Sequence, residues 1–94
     1  MKFAFIFMGQ YDAAEDRAEI KNGQTQVAGV PDIETACTVA KEFLQDGVGC
    51  IELCGAFGEE GARRIIEATG NTIPIGYVTH LPEQDELYKA VFGE

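Results

Sequence analysis

The chain has 94 residues, of which 46% are hydrophobic and 24% charged, a composition that fits one small globular domain over residues 1–94. Sixteen acidic residues against seven basic ones give a formal net charge of −9. This charge argues against nucleic acid and anionic membranes as partners, because phosphate-rich surfaces are bound by Lys and Arg. Three cysteines, an odd number, predict no disulfide framework, and we expect a cytoplasmic protein.

The first predicted element is a strand over residues 2–8, KFAFIFM. Its hydrophobicity is continuous rather than alternating, which is typical of a central parallel strand that is buried on both faces. Alternate side chains of a strand share a face. The three phenylalanines, Phe3, Phe5 and Phe7, are therefore predicted to lie together.

The segment that follows is the most polar part of the chain, and we expect a short helix within residues 12–21, DAAEDRAEIK. A second strand is predicted over residues 24–30. Its polar residues alternate with less polar ones, and this pattern favours a position at the edge of a sheet.

The clearest helix follows Pro31, with Asp32 as the N-cap, an apolar stripe from Ile33 to Leu44 and Gly47 after its end. A third strand (residues 50–54), a glycine turn (55–58) and a helix (59–69) come next. Pro74 near the start of a fourth strand (73–79) indicates an edge strand, because proline donates no ladder hydrogen bond. A last helix is predicted from Pro82, docked through Leu87, Val91 and either Tyr88 or Phe92.

Alternation of strands and helices predicts an α/β fold with a parallel sheet and right-handed crossovers. Placing the apolar strands in the centre gives the order 2-1-3-4 for four strands. We therefore expect a small three-layer sandwich, flavodoxin-like but truncated. A sheet this narrow leaves one face thinly covered, which predicts a homodimer or a higher oligomer.

The segment DGVGCIELCGAFGEEGA, preceded by VAGVPDIETACTVA and followed by IPIGYV, resembles a family of short bacterial α/β proteins of unknown function. Its most distinctive part is an IELCG-x-FG signature, and the resemblance extends from the first strand to Val78. It implies the α/β fold and no particular reaction. The tail HLPEQDELYKAVFGE lies outside the resemblance.

The strand, glycine turn and helix start in the middle of the chain predict a ligand site, because α/β proteins bind ligands where such turns meet the carboxyl edge of the sheet. The turn lacks a Lys-Ser/Thr pair and does not fit G-x-G-x-x-G, so we expect a small carboxylate or neutral metabolite rather than a nucleotide, and no cofactor. The alternative is a tight turn that needs glycine for a positive φ. The predicted crevice is formed by Gly9, Gln10, Tyr11, Cys54, Gly55, Ala56, Phe57 and Gly58.

Three residues are candidates for catalysis: Glu52, Cys54 and His80. Glu52 is expected in a buried strand, either as a general base or substrate anchor, or as a structural residue that meets a basic group or water. Cys54 and His80 end neighbouring strands and form a candidate nucleophile–base pair. A metal site is not predicted, because Cys50 and Cys54 stand about 13 Å apart on a strand.

Three functions remain open from these residues. The first is a homo-oligomeric domain that binds a small metabolite at the carboxyl edge of the sheet. The second is a small enzyme that uses Glu52 or the Cys54/His80 pair for proton transfer. The third is a structural or interaction subunit without a ligand.

Overall fold

The computed structural model describes residues 1–93, which form a mixed five-stranded sheet of order β2-β3-β1-β4-β5. The β1–β3, β1–β4 and β4–β5 pairs are parallel, and β2–β3 is antiparallel. Three helices complete this α/β fold, and none within residues 1–93 has the length and apolarity to cross a bilayer. The elements are β1 (Lys2–Met8), β2 (Arg17–Ile20), β3 (Thr25–Val30), α1 (Ile33–Gln45), β4 (Val48–Leu53), α2 (Gly58–Ala68), β5 (Ile75–Tyr77) and α3 (Asp85–Phe92).

The four predicted strands are present and have the predicted neighbours, but the sheet is not four-stranded. The segment expected to be a helix forms β2, which pairs outside β3, so the strand over residues 24–30 is not an edge strand. The cause lies in the turn after β2, where Lys21, Asn22 and Gly23 all have positive φ, at 57°, 56° and 85°. Asn-Gly is a typical hairpin signal, and it returns the chain antiparallel to β2.

The hydrophobic core lies on one face of the sheet. In the strand register Ala4 stands beside Ile51, and Ile6 stands beside Ala28 and Leu53, and all five side chains are buried. The helices α1 and α2 pack over this face with a stripe of small and medium-sized apolar residues. Their buried members are Ala36, Val39, Ala40, Phe43, Ala62 and Ile65.

The predicted cap of α1 is confirmed. The Asp32 carboxylate accepts a hydrogen bond of 2.7 Å from the backbone N–H of Thr35, and Asp32 itself has extended backbone angles. This hydrogen bond lowers the pKa of Asp32, because it favours the charged carboxylate. The helix therefore begins where the sequence predicted.

The opposite face of the sheet, which we call the open face, contributes no side chain to the buried core. Its Phe7 is 39% exposed and its Ile20 is 59% exposed. The fold therefore has two layers over most of the sheet, and the predicted three-layer, flavodoxin-like sandwich is wrong. The strand positions of the open face are Phe3, Phe5, Phe7, Ala18, Ile20, Thr25, Val27, Gly29, Cys50, Glu52 and Gly76.

The last helix, α3, does not dock as predicted. A 3-10 turn over Pro82–Gln84 leads into it, and none of its residues is buried. Leu87 and Val91, the expected docking residues, are 61% and 75% exposed. The helix instead contacts His80, on whose ring the Tyr88 ring stacks at a centroid distance of 3.8 Å and whose Nε2 lies 2.7 Å from Oδ1 of Asp85. The helix thus stands beside the carboxyl edge of the sheet instead of covering a face.

Candidate functional site

A cavity of about 940 Å³ lies between the carboxyl ends of β1, β4 and β5 and the helix α3. Ligands of parallel α/β sheets bind at this edge, because the loops that leave the strands converge there. The lining of the cavity is mainly apolar and includes five aromatic side chains from β1, the loop after it, β5 and α3. They are Phe7, Tyr11, Tyr77, Tyr88 and Phe92.

The cavity includes half of the predicted crevice. Tyr11, Cys54, Gly55 and Ala56 line it, whereas Gly9, Gln10, Phe57 and Gly58 do not. The Phe57 ring belongs to the buried core instead.

Two glycines of the turn have structural reasons to be glycine. Gly58 has a φ of +63°, and a Cβ at Gly55 would lie 3.3 Å from the carbonyl oxygen of Val78. The positive φ of Gly58 and the close contact at Gly55 support the view that the turn needs glycine for its geometry.

The Tyr11 ring is held in the cavity wall by two glycines. A Cβ at Gly29 would lie 2.6 Å from Cγ of Tyr11, and a Cβ at Gly9 would lie 3.1 Å from Cε2. The ring therefore lies directly on the backbone of β3 and of the residue after β1, a closer approach than any other residue type allows. In the sequence Gly29 is only a residue that weakens a strand. Tyr11, whose ring needs the space beside it, lies 18 residues away.

Cys54 lies at the point where β4 meets β1. Its Sγ accepts a hydrogen bond of 3.3 Å from the backbone N–H of Met8 and borders the cavity. The other two cysteines lie outside the cavity: the Cys37 thiol donates to the Arg64 carbonyl oxygen at 3.8 Å, and Cys50 lies on the open face. Burial raises the pKa of the Cys50 thiol, and the negative charge of Glu52 raises it further. The thiol therefore stays protonated at neutral pH.

His80 is held by two neighbours at the cavity rim. Its Nε2 lies 2.7 Å from Oδ1 of Asp85, and its ring is nearly parallel to that of Tyr88, with an interplanar angle of 12°. This leaves Nδ1 without a hydrogen-bond partner in residues 1–93. The sequence indicated His80 but not Asp85. The available signal was the position of Asp85, which stands five residues after His80 and in the first turn of α3. The sequence pointed to Tyr88 and Phe92, which are one helical turn apart, as docking residues of the last helix and not as residues of the site.

Glu52 does not lie where the sequence predicted. Its side chain is exposed on the open face and does not border the cavity, because β4 has no helix over that side. Two basic residues that could have met it bind other carboxylates: Lys2 pairs with Asp46 at 3.3 Å, and Arg63 pairs with Glu59 at 2.6 Å. Within residues 1–93 Glu52 forms no ion pair. The expected burial of this carboxylate is therefore wrong.

The cavity offers aromatic surfaces for contact, and its polar lining residues include Cys54, Thr79, His80, Asp85 and Lys89. Within residues 1–93 no three side chains of His, Cys, Asp or Glu come close enough together to hold a metal ion.

Fold and cavity together define a small α/β domain with an aromatic site at the carboxyl edge of its sheet. The chain belongs to a family of unknown function, DUF6506, whose model matches residues 1–93. The match includes residues 80–93, so α3 and its aromatic residues are part of what the family model describes. A search of curated proteins and a search of solved structures gave no match.

The contact between Gly29 and Tyr11 generates a prediction. Gly29→Ala should lower the free energy of unfolding by about 1–3 kcal/mol, because the added methyl group overlaps Cβ and Cγ of Tyr11. Urea unfolding followed by circular dichroism measures this. Gly76→Ala is the matched control, since it also lies on the open face and a Cβ there meets nothing within 4 Å. Equal stability of the two variants would show that Tyr11 does not lie on Gly29.

Proposed function

We propose that this protein is a homo-oligomeric domain that binds a small planar metabolite in the aromatic cavity. The observation that carries the proposal is the position and lining of the cavity, with five aromatic side chains at the carboxyl edge of the sheet. Its volume of about 940 Å³ lies within the range of small-molecule sites. Aromatic walls favour a flat ligand, because stacked rings gain contact area at little cost in conformational entropy.

The polar groups of the cavity narrow the class of ligand. Lys89 is the only lysine in the lining, which contains no arginine, and the carboxylate of Asp85 engages His80. One amine matches one carboxylate, whereas a di- or triphosphate needs several donors and cations. The arrangement supports a neutral ligand or one that carries a single carboxylate.

Tyr88 provides the test of this site. Tyr88→Ala should weaken binding of a metabolite found by thermal-shift screening at least tenfold, because a stacked aromatic contact is lost, and isothermal titration calorimetry measures the change. Tyr88→Phe is the control, since it keeps the ring and removes only the hydroxyl. The site proposal fails if Tyr88→Ala binds the metabolite as tightly as the wild type.

Assembly is supported by the open face, which leaves Phe7 and Ile20 in contact with water. Apolar patches of this kind on folded chains mark interaction surfaces. Static light scattering at micromolar concentration should therefore give at least twice the chain mass of 10.2 kDa. A mass of one chain across the concentration range would contradict the oligomer.

A proton-transfer enzyme is the second candidate, favoured by the hydrogen bond of 2.7 Å between His80 and Asp85 and by the position of Cys54 in the lining of the same cavity. A base oriented by a carboxylate is one element of the arrangements that activate thiol nucleophiles, and here it shares a cavity with a thiol. Glu52 has no part in this candidate, because it lies outside the cavity.

Alkylation by iodoacetamide distinguishes the enzyme from a binding site. If His80 activates Cys54, then Cys54 should react faster than Cys50, and His80→Asn should slow its reaction severalfold at neutral pH. Peptide mass spectrometry separates the two cysteines, and Cys37 serves as the internal reference because it lies on α1. Unchanged alkylation of Cys54 in His80→Asn would count against the enzyme.

A further inference from the structure

The helix α3 lacks support on its outer side. It has eight residues, and isolated helices shorter than about 12–15 residues are marginal in water. Tyr88 and Phe92 line the cavity, whereas Leu87 and Val91 share the outer side of the helix and are 61% and 75% exposed. A helix with an apolar outer side of this kind needs a partner surface.

The open face of the sheet is a second apolar surface without a cover. Its apolar part extends over three adjacent strands, with Ile20 on β2, Val27 on β3 and three phenylalanines on β1. Three strands span roughly 10 Å between their outer axes. A helix of eight residues is about 12 Å long, so α3 fits across this part of the face.

From these two surfaces we infer that α3 of one copy packs on the open face of a second copy, and that the exchange is mutual in a two-fold dimer. The partner then holds in place the helix that forms one wall of the cavity. The support that the partner gives to the cavity matters for function only if the proposed ligand site exists. The interface itself does not depend on a ligand.

The charge of Glu52 decides between this arrangement and a dimer of two stacked open faces. Glu52 is the only charged residue among the strand positions of the open face. Stacking the faces would bury two unpaired carboxylates in one layer, which is costly. A helix across β2, β3 and β1 leaves Glu52 on β4 at the rim, where it stays hydrated.

The area also suits a dimer. Each copy contributes five large apolar side chains, of which Phe5 is half-buried and the other four are exposed: Phe7, Ile20, Leu87 and Val91. At about 100 Å² for each, a two-fold pair buries on the order of 1,000 Å², which reaches the lower limit of specific interfaces. The mutual exchange matters here, because a single helix on a single face would bury only half of this area.

Sedimentation velocity at micromolar concentration tests the interface with one variant on each surface. Val91→Glu and Ile20→Glu should each raise the dimer dissociation constant at least tenfold, and circular dichroism should show an unchanged fold, since both side chains are exposed. Thr38→Glu is the matched control, because it places the same charge on an exposed position of α1. It should leave the dimer intact.

Mixing the two variants identifies which surfaces meet. A heterodimer of Val91→Glu and Ile20→Glu keeps one unaltered contact between α3 and the open face, so the mixture should contain more dimer than either variant alone. A monomeric wild type, a Val91→Glu variant that dimerises like the wild type, or a mixture without recovery would each overturn the inference.

The role of the partner in the cavity has its own readout, which needs no ligand. Cys54 borders the cavity, so loss of the partner should loosen the α3 wall and speed alkylation of Cys54 by iodoacetamide severalfold in Val91→Glu. An unchanged rate in a monomeric Val91→Glu variant would overturn the claim that the partner closes the cavity. If the dimer results hold and no metabolite binds, the interface stands and the proposed ligand site fails.

Discussion

The packing of both crossover helices on one face of the sheet is the constraint on which the rest of this structure depends. The chain crosses from β3 to β4 through α1 and from β4 to β5 through α2, and both crossings run in the same direction across the sheet. Right-handed crossovers in one direction place their helices on the same side. The connection from β1 to β3 runs in the opposite direction, and a helix there would have covered the other face. The chain uses the β2 hairpin instead, which widens the sheet and leaves the face open.

The aromatic strand β1 acquires two roles from this arrangement. Its small and branched residues Ala4 and Ile6 are buried under the helices, while its phenylalanines lie on the open face. Phe7, the last of them, also reaches the cavity at the carboxyl edge. The open face and the cavity therefore form one continuous apolar surface, with Tyr11 lying on Gly29 between them. The proposed ligand site and the proposed dimer interface therefore share this surface.

Three polar groups of the cavity lining have hydrogen-bond partners. The Cys54 sulfur accepts from a backbone amide, and the Asp85 carboxylate engages His80. Such groups can orient a ligand, and the histidine–carboxylate pair is also the type of pair that moves protons. Membership of the family, which extends over α3, adds no reaction to this picture. The aromatic lining is therefore the stronger guide to function.

Local signals in the sequence determined β1, α1, β4, the glycine turn and α2, because each depends on residues that are neighbours along the chain. Asp32 caps α1 through a residue three positions on, and Gly58 supplies a positive φ in its own turn. The Asn22-Gly23 hairpin signal was also present, but the acidic, alanine-containing segment before it suggested a helix more strongly than a strand.

The tertiary structure alone decided which face of the sheet is covered, and with it the exposure of Glu52 and the composition of the cavity. An apolar strand has the same sequence pattern whether a helix of its own chain or another molecule covers its second face. The cavity brings together residues from four segments, and the two outermost residues, Phe7 and Phe92, stand 85 positions apart. The local periodicity of a sequence carries no signal for contacts over such a separation. The free energy that selects this arrangement comes from contacts between distant residues, which is why it became visible only in the folded chain.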